Sequence, residues 1–598
     1  MVFFVYKIKN IGKYAIITEG RMQMKKIVLT AIITTIVTLG ILGGITFGVS
    51  KFSQGESRNE EKIAAEELDL LPEDGNKEEY DLSKAEAIQA NGEKAMLLNL
   101  DEIPLSKVYD TAVSAERSKL LDKKKRGVDA TFETPMFVWN PYGTNHLALY
   151  TYFETTEPVW IRYTIRVEDA KIPDFTRTLK NEGKDNLERK HEYQITGFVP
   201  GKTNYIIWNM YNKSGKLVGN KIFSIDVPSL DSKAKVQLNS KAGELLTKEK
   251  QTNGLYCLMG EKYIWFYDNS GVLRGEIPLE KGKTCQVLFE KDQMTYAASP
   301  HAFASINTLG QVQKVFRFKG YQQEQFTYNG YGQILMIASK EDKKRKTVND
   351  MIVSIDVKTG KTKEVLDFTK IFPKVFKQAQ KENRKKKGKL DWIGLNSLIA
   401  ASSDGIIVSS GKMSSIIRIN SMNSAKPEIK YMIGEPENWK NTPYKKYLYE
   451  KQGQKELEEE AQASADEEEK LLETKVEVED AFQIHANQSY IIMEQDSTLG
   501  EGMYYLDVFN SNKKPTSYWY QYVVDETNGL YGLKDSLEVP YCKENGEFYD
   551  KEKNRIYTLP ANGEFMERDK ENKDIRIFEL PKSCTSVKKY DMKNFWYK

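Results

Sequence analysis

A chain of 598 residues with 40% hydrophobic and 11% aromatic side chains has the composition of a folded protein and is too long for one ordinary domain. Its 88 basic and 85 acidic residues leave a net charge of +3, so no overall field drives it onto nucleic acid. Only four histidines occur (His146, His191, His301 and His485), far apart in sequence, which excludes a multi-histidine metal site.

Residues 1–26 read as a cytoplasmic N-terminal segment; no fold is assigned to 1–23, and Met24 opens MKKIVLTAII, which has the character of a chain start. The segment Ile27–Ser50 has no charged residue and is long enough to cross a bilayer. Lys25 and Lys26 precede it, so the expectation is a single-pass membrane anchor with the body outside the cytoplasm. A cleaved signal peptide is the alternative, although the apolar stretch is long for one and no small-x-small site follows it. Residues 51–125 are rich in Glu, Lys, Asp and Ala and read as a charged, partly helical stalk.

The texture then changes. Over 126–230 apolar and polar residues alternate, as in Ala148–Phe153 (ALYTYF), Val159–Val167 (VWIRYTIRV) and Tyr205–Met210 (YIIWNM). Turn chemistry at Asn140–Gly143 (NPYG) and Pro200–Lys202 (PGK) separates the runs, and the pattern predicts a small β-sandwich. Over 231–598 a different unit recurs: a strand ending in Asp or Asn, a turn with Gly, and a second strand. Copies are Tyr263–Ile277, Ala304–Phe318 and Met351–Phe368, with weaker ones at Ile416–Ile433 and Tyr504–Tyr520. Gln333–Ser339, Gly405–Ser410 and Ser489–Met493 read as inner strands between them. Repeated hairpins with irregular insertions predict a β-propeller; a double sandwich is the rival. The acidic insertion at 444–479 reads as a solvated helix or loop, with a lid as the alternative, and the basic run Lys381–Lys389 as a solvated loop.

Cys257, Cys285, Cys542 and Cys584 are even in number and compatible with disulfides in an oxidising compartment; four buried thiols are the alternative. None is in CxxC spacing, so no zinc site is expected. No phosphate-binding loop or dinucleotide fingerprint occurs, and no carboxylate pair has a spacing that suits glycoside hydrolysis. No motif specifies an oligomeric state.

Several stretches, in order, point to one family. They are Asn140–Phe153 (NPYGTNHLALYTYF), Gly320–Glu324 (GYQQE), Asp391–Ser397 (DWIGLNS), Ile406–Ser410 (IIVSS), Ser415–Asn420 (SIIRIN), Gly434–Trp439 (GEPENW) and Phe482–Ala486 (FQIHA). Together they resemble the bacterial PAPS-independent aryl-sulfate sulfotransferases over roughly Ala130 to the C-terminus. The resemblance implies an all-β protein, an N-terminal β-sandwich followed by a six-bladed β-propeller, here behind a transmembrane helix and stalk. It implies small aromatic sulfate esters and phenols as partners; the missing nucleotide-binding motifs, the sparse His and Cys and the low net charge add the expectation of no cofactor, no metal and no nucleic acid. It also implies a ping-pong reaction in which a histidine attacks the ester sulfur, a sulfohistidine forms, and a second phenol collects the sulfuryl group. The sulfuryl oxygens need fixed donors throughout.

Carried onto this chain, the resemblance makes His485 the nucleophile, expected at the mouth of the propeller axis within reach of Gln322, Gln323 and Asn396. Gln322 and Gln323 stand where the family has paired histidines, and Glu324 where it has Asp. Gly394 replaces a further histidine, and Gly411 an arginine, with Lys412 next to it. Gln322 and Gln323 would orient the sulfuryl oxygens, Asn396 would line the funnel, and Lys412 would offset charge. With those histidines and the arginine replaced, a degenerate propeller that binds a ligand without turnover, or serves structurally outside the cytoplasm, is the alternative. Trp392, Trp439 and Tyr321 are candidate walls for an aryl ring. His301 reads as a loop or pore residue, and His146 and His191 as structural.

Overall fold

The computed structural model describes residues 80–598 except 91–94, 243–253, 283, 343, 384–387, 453–481, 514–515, 543–546 and 552–553. Leu70–Lys213 and Leu217–Lys598 form one compact unit; the other, Met1–Asp69 with Ser214–Lys216, lies almost wholly outside the described residues. The apolar segment 27–50 and most of the 444–479 insertion fall outside them too. Among the described residues no helix is long and apolar enough to cross a membrane.

The N-terminal sandwich is organised by one long strand, Leu149–Arg166. Its pairing register shifts between Glu154 and Val159, so its two halves serve different layers. The first half pairs with Met136–Trp139 and Glu188–Ile195, the second with Phe175–Thr178 and Thr203–Tyr211. Trp208 packs edge-on against Phe137 and Phe223, with Phe132 and Phe153 beside it, filling the space between layers.

The segment read as the end of a stalk is built into this body. Glu86–Ala87 adds a short parallel strand to Leu217–Asp226, and helix Thr111–Lys125 buries Ser114 and Leu121. Ser114 Oγ accepts a hydrogen bond from the Val312 N–H at 3.0 Å. The helix looks detached in sequence because its contact face is narrow: beyond Ser114 and Leu121 only Val113 and Leu120 are apolar and partly buried, and the other positions are charged or small.

Six further sheets of four or five strands form the propeller blades. In chain order, blades II to V have inner strands Val287–Glu290, Tyr321–Tyr328, Leu395–Ser402 and Tyr490–Glu494; blade VI begins with Glu547–Lys551. Blade I comprises Leu255–Gly260, Tyr263–Tyr267 and Leu273–Pro278, and its inner strand is the C-terminal segment Cys584–Tyr590. That pairing closes the ring; a second stitch pairs Ser240–Ala242 with Asp574–Glu579 of blade VI. Second strands such as Gln333–Lys340 and Gly405–Ser410 are buried nearly throughout because both sheet faces meet neighbouring blades.

The recurrent turn has a local cause. Asp268 Oδ1 accepts from the N–H groups of Ser270 and Val272, and Gly271 takes φ +72° to close the hairpin. Asn307, Asn329 and Asp356 accept the same kind of backbone bonds in their own hairpins.

Two expectations are revised. Gln333–Lys340 and Gly405–Ser410 are second strands, one removed from the axis, and only Tyr490–Glu494 of the three candidates is innermost. No disulfide joins Cys257, Cys285, Cys542 and Cys584; burial pushes the Cys257 thiol up and that of Cys584 up to about 12, so these two are protonated and unreactive.

Candidate functional site

Inner strands of a propeller start at one end of the axis, and the family-like motifs sit on those starts. Asn396 is the second residue of Leu395–Ser402, and Gln322 and Gln323 follow the first residue of Tyr321–Tyr328. His485 lies in the segment that leads into Tyr490–Glu494.

Three stretches on blades IV and V are stitched together there. Asn396 Nδ2 donates to the Gln488 carbonyl at 2.8 Å. Gln488 is fully buried, and its Nε2 donates to the carbonyls of Ser410 (3.1 Å) and Ser415 (3.0 Å). The Asn487 N–H donates to Ser414 Oγ at 3.0 Å, and the Ile491 N–H to Ser397 Oγ at 3.2 Å. The two glycines at family side-chain positions fit this stitching closely. Gly394 holds φ +59°, and a Cβ there would lie 2.6 Å from Lys412 Cγ. A Cβ on Gly411 would lie 2.8 Å from Asn396 Nδ2. Larger side chains at either position would require this end to rearrange.

His485 does not sit at a mouth. Its side chain is 0% exposed, enclosed beside Phe482 and Tyr522 of blade V. Nδ1 shares a hydrogen bond with the Tyr522 hydroxyl at 3.1 Å, and the His485 backbone N–H donates to the same oxygen at 3.3 Å. Nε2 makes no well-formed hydrogen bond. Burial pushes the pKa down to about 3, against a weaker pull from the Ile433 carbonyl, so the ring is neutral.

The remaining expected residues divide between two places. Gln323 is buried and its N–H donates to the Pro300 carbonyl at 3.0 Å, while Gln322 is exposed. Next to them the exposed His301 ring bonds the Tyr321 carbonyl at 2.8 Å, linking blades II and III. Lys412 is exposed, alongside Gly394. Neither the glutamine pair nor the Asn396–Gln488 group stands in the wall of the axial cavity, of about 170 Å³, that follows along these strands. The cavity is lined by Gln325–Thr327, Ser397–Ile399, Tyr490–Met493 and Gln286, which extend the same inner strands.

Trp392 and Trp439 belong to the core. Trp392 Nε1 donates to Asp350 Oδ2 (3.0 Å) and Trp439 Nε1 to Ser415 Oγ (2.8 Å), with Phe376 packed against Trp392 and Phe372 against Trp439. Tyr321 is half-buried and its hydroxyl bonds Glu364. His146 pairs with Glu276 of blade I at 2.8 Å, and His191 is buried against Phe153 and Tyr193; both hold structure. Sequence reasoning missed Gln488, Tyr490 and Tyr522. Gln488 was within reach, three residues past His485; the tyrosines have no local signal.

Comparison with known proteins identifies two matching family models. "Arylsulfotransferase (ASST)" matches residues 244–540, and "Arylsulfotransferase Ig-like domain" matches residues 136–228; together they span well over half of the chain. No curated protein matches it. Among solved structures, a functionally unknown protein from Desulfotomaculum acetoxidans is 9% identical, covering 64% of this chain and 95% of its own, with a TM-score of 0.29. The periplasmic gluconolactonase PpgL of Pseudomonas aeruginosa is 8% identical (72% and 99% covered, TM-score 0.26). Apo AztD from Citrobacter koseri is 10% identical (72% and 97%, TM-score 0.25). Likeness at this level fixes neither family nor function.

Proposed function

The chain belongs to the arylsulfotransferase family, and from that premise we propose that it moves a sulfuryl group from a phenolic sulfate ester to a phenol at this end of the axis. The observation that carries the reading is the Asn396–Gln488 bond, which gathers two family-like segments beside an axial cavity of about 170 Å³. A cavity of that size with Phe326, Leu398 and Ile491 in its wall suits a small aromatic ring.

In this proposal the neutral His485 imidazole is the nucleophile. Its ring nitrogen forms an N–S bond as the S–O bond to the aryl group breaks, and the phenolate leaves with the electron pair. The oxygen of a second phenol then attacks sulfur, the N–S pair returns to the ring, and the acceptor proton passes to solvent. A pKa of about 3 keeps the ring in its attacking form at every physiological pH. Gln322 and Gln323 hold the sulfuryl oxygens, Asn396 lines the approach, and Lys412 offsets charge. The ring must leave its seat against Tyr522 to attack, so opening of the 482–488 segment is part of the cycle.

A second reading, ligand binding without turnover, is favoured by the complete burial of His485 and by the absence of any side chain at Gly394 and Gly411. The two separate on incubating the full chain with a chromogenic aryl sulfate and a phenol. Acceptor-dependent phenolate release that vanishes in His485→Asn supports transfer; saturable binding with no release supports the second reading. Anchoring by Ile27–Ser50 with the body outside the cytoplasm belongs to the same proposal. Protease added to intact cells degrades the body if so, and spares it if not.

A further inference from the structure

We propose that the axial cavity holds the anionic group of an aryl sulfate through Lys588, a lysine on the strand that closes the ring. This rests on the reading of the axial end as an aryl-sulfate site and adds the charge that the exposed Lys412 does not bring into the axis.

Lys588 lies on Cys584–Tyr590, the inner strand of blade I, paired with Cys257. It is only 2% exposed. Its Nζ donates to the Tyr490 hydroxyl oxygen at 2.8 Å and to Gln286 Oε1 at 3.2 Å. Both acceptors line the cavity. The Lys588 amine therefore stands one hydrogen bond behind the wall, held there by two groups of the cavity lining. A hydroxyl that accepts from an ammonium is itself polarised as a donor.

Two more polar groups share the wall. Ser397 Oγ accepts from the Ile491 N–H at 3.2 Å, which leaves its hydroxyl hydrogen to donate. The side-chain oxygen of Gln325 is buried without a hydrogen-bond partner, and turning that amide over presents its NH₂ to an anion. Between these groups run Phe326, Ile491 and Met493. Cationic and hydroxyl donors beside an apolar wall match a ligand with an oxyanion at one end and a ring at the other. They do not match a metal cation or an uncharged polyol.

The test uses the full chain, 4-nitrophenyl sulfate, inorganic sulfate and 4-nitrophenol as probes, and calorimetry as the readout. Wild type is expected to bind the aryl sulfate more tightly than inorganic sulfate. Lys588→Met is expected to weaken the aryl sulfate at least about tenfold while leaving 4-nitrophenol unchanged, with Lys588→Arg restoring most of the affinity. If Lys588→Met fails to fold, Tyr490→Phe, which keeps the ring and removes the bridging hydroxyl, carries the test with a several-fold loss. Wild-type affinity for the aryl sulfate in Lys588→Met, or in Tyr490→Phe where that variant stands in, overturns the role of Lys588 and leaves the family reading intact. No binding of aryl sulfate by wild type overturns both. Equal affinity for inorganic and aryl sulfate overturns the aromatic half of the assignment.

Discussion

Mild acid should destabilise this protein through two imidazoles. Burial lowers His485 from 6.5 to about 3 and His191 from 6.5 to about 4. Above pH 6.5 neither the folded nor the unfolded chain protonates these rings, and they contribute no pH dependence. Below it the unfolded chain takes up a proton that the folded site refuses, so stability falls as pH falls, levelling off for His485 only near pH 3. At 1.36 kcal/mol per unit, acidification to about pH 4.5 costs about 3 kcal/mol for each histidine. Denaturant unfolding of wild type, His485→Gln and His191→Gln, followed from about pH 8 to about pH 4.5, reads this directly. Carboxylates held low by their partners, such as Asp367 beside Arg345, add an acid loss common to all three proteins and cancel in the comparison. Each variant should lose about 3 kcal/mol less than wild type over that range. Parallel curves for wild type and His485→Gln would refute the burial of the ring.

Gly411→Ala should cost about 1–2 kcal/mol by displacing the Asn396 amide from the Gln488 carbonyl, and the cost should largely vanish in an Asn396→Ala background; an additive double variant would place the clash elsewhere. Tyr522→Phe should lose about 2 kcal/mol, because it strips the partner from two buried His485 nitrogens; denaturation midpoints check it, and an unchanged midpoint contradicts it. Trp439→Ala should lose about 3–5 kcal/mol yet leave aryl-sulfate affinity unchanged, since the ring is core and not a ligand wall. The buried thiols of Cys257, Cys542 and Cys584 should ignore a thiol reagent in the native state and react on unfolding, with no stability change on adding reductant.

Hairpins were legible where their cause is local. The Asp268 and Asn307 turns are written in four or five consecutive residues, and the sandwich in period-two alternation. Ring closure was not, because the partner of Leu255–Gly260 lies more than three hundred positions away, with no signal of its own. The inner strands were misplaced for a physical reason. Gln333–Lys340 and Gly405–Ser410 are the most apolar because neighbouring blades cover both faces, whereas inner strands such as Tyr321–Tyr328 (YQQEQFTY) turn polar groups toward the axis. Helix Thr111–Lys125 shows the converse: its charged composition suggested a stalk, yet Leu121 and Ser114 bind it to the body. At the site, the motif around His485 marked the right segment, but the ring's burial depends on Tyr522 across 37 positions of chain. Lys588 reaches the axis from the last strand of the fold, where no motif points.

The central claim, sulfuryl transfer through His485, is tested most directly by trapping the intermediate. The full chain is mixed with a chromogenic aryl sulfate in the absence of acceptor, quenched at alkaline pH and digested for mass spectrometry. The account predicts a burst of phenolate no larger than one per chain, with a sulfo group on the peptide containing His485 that disappears when a phenol is added. A folded, ligand-binding protein that gives neither burst nor adduct, or one that carries the sulfo group on a different residue, contradicts it.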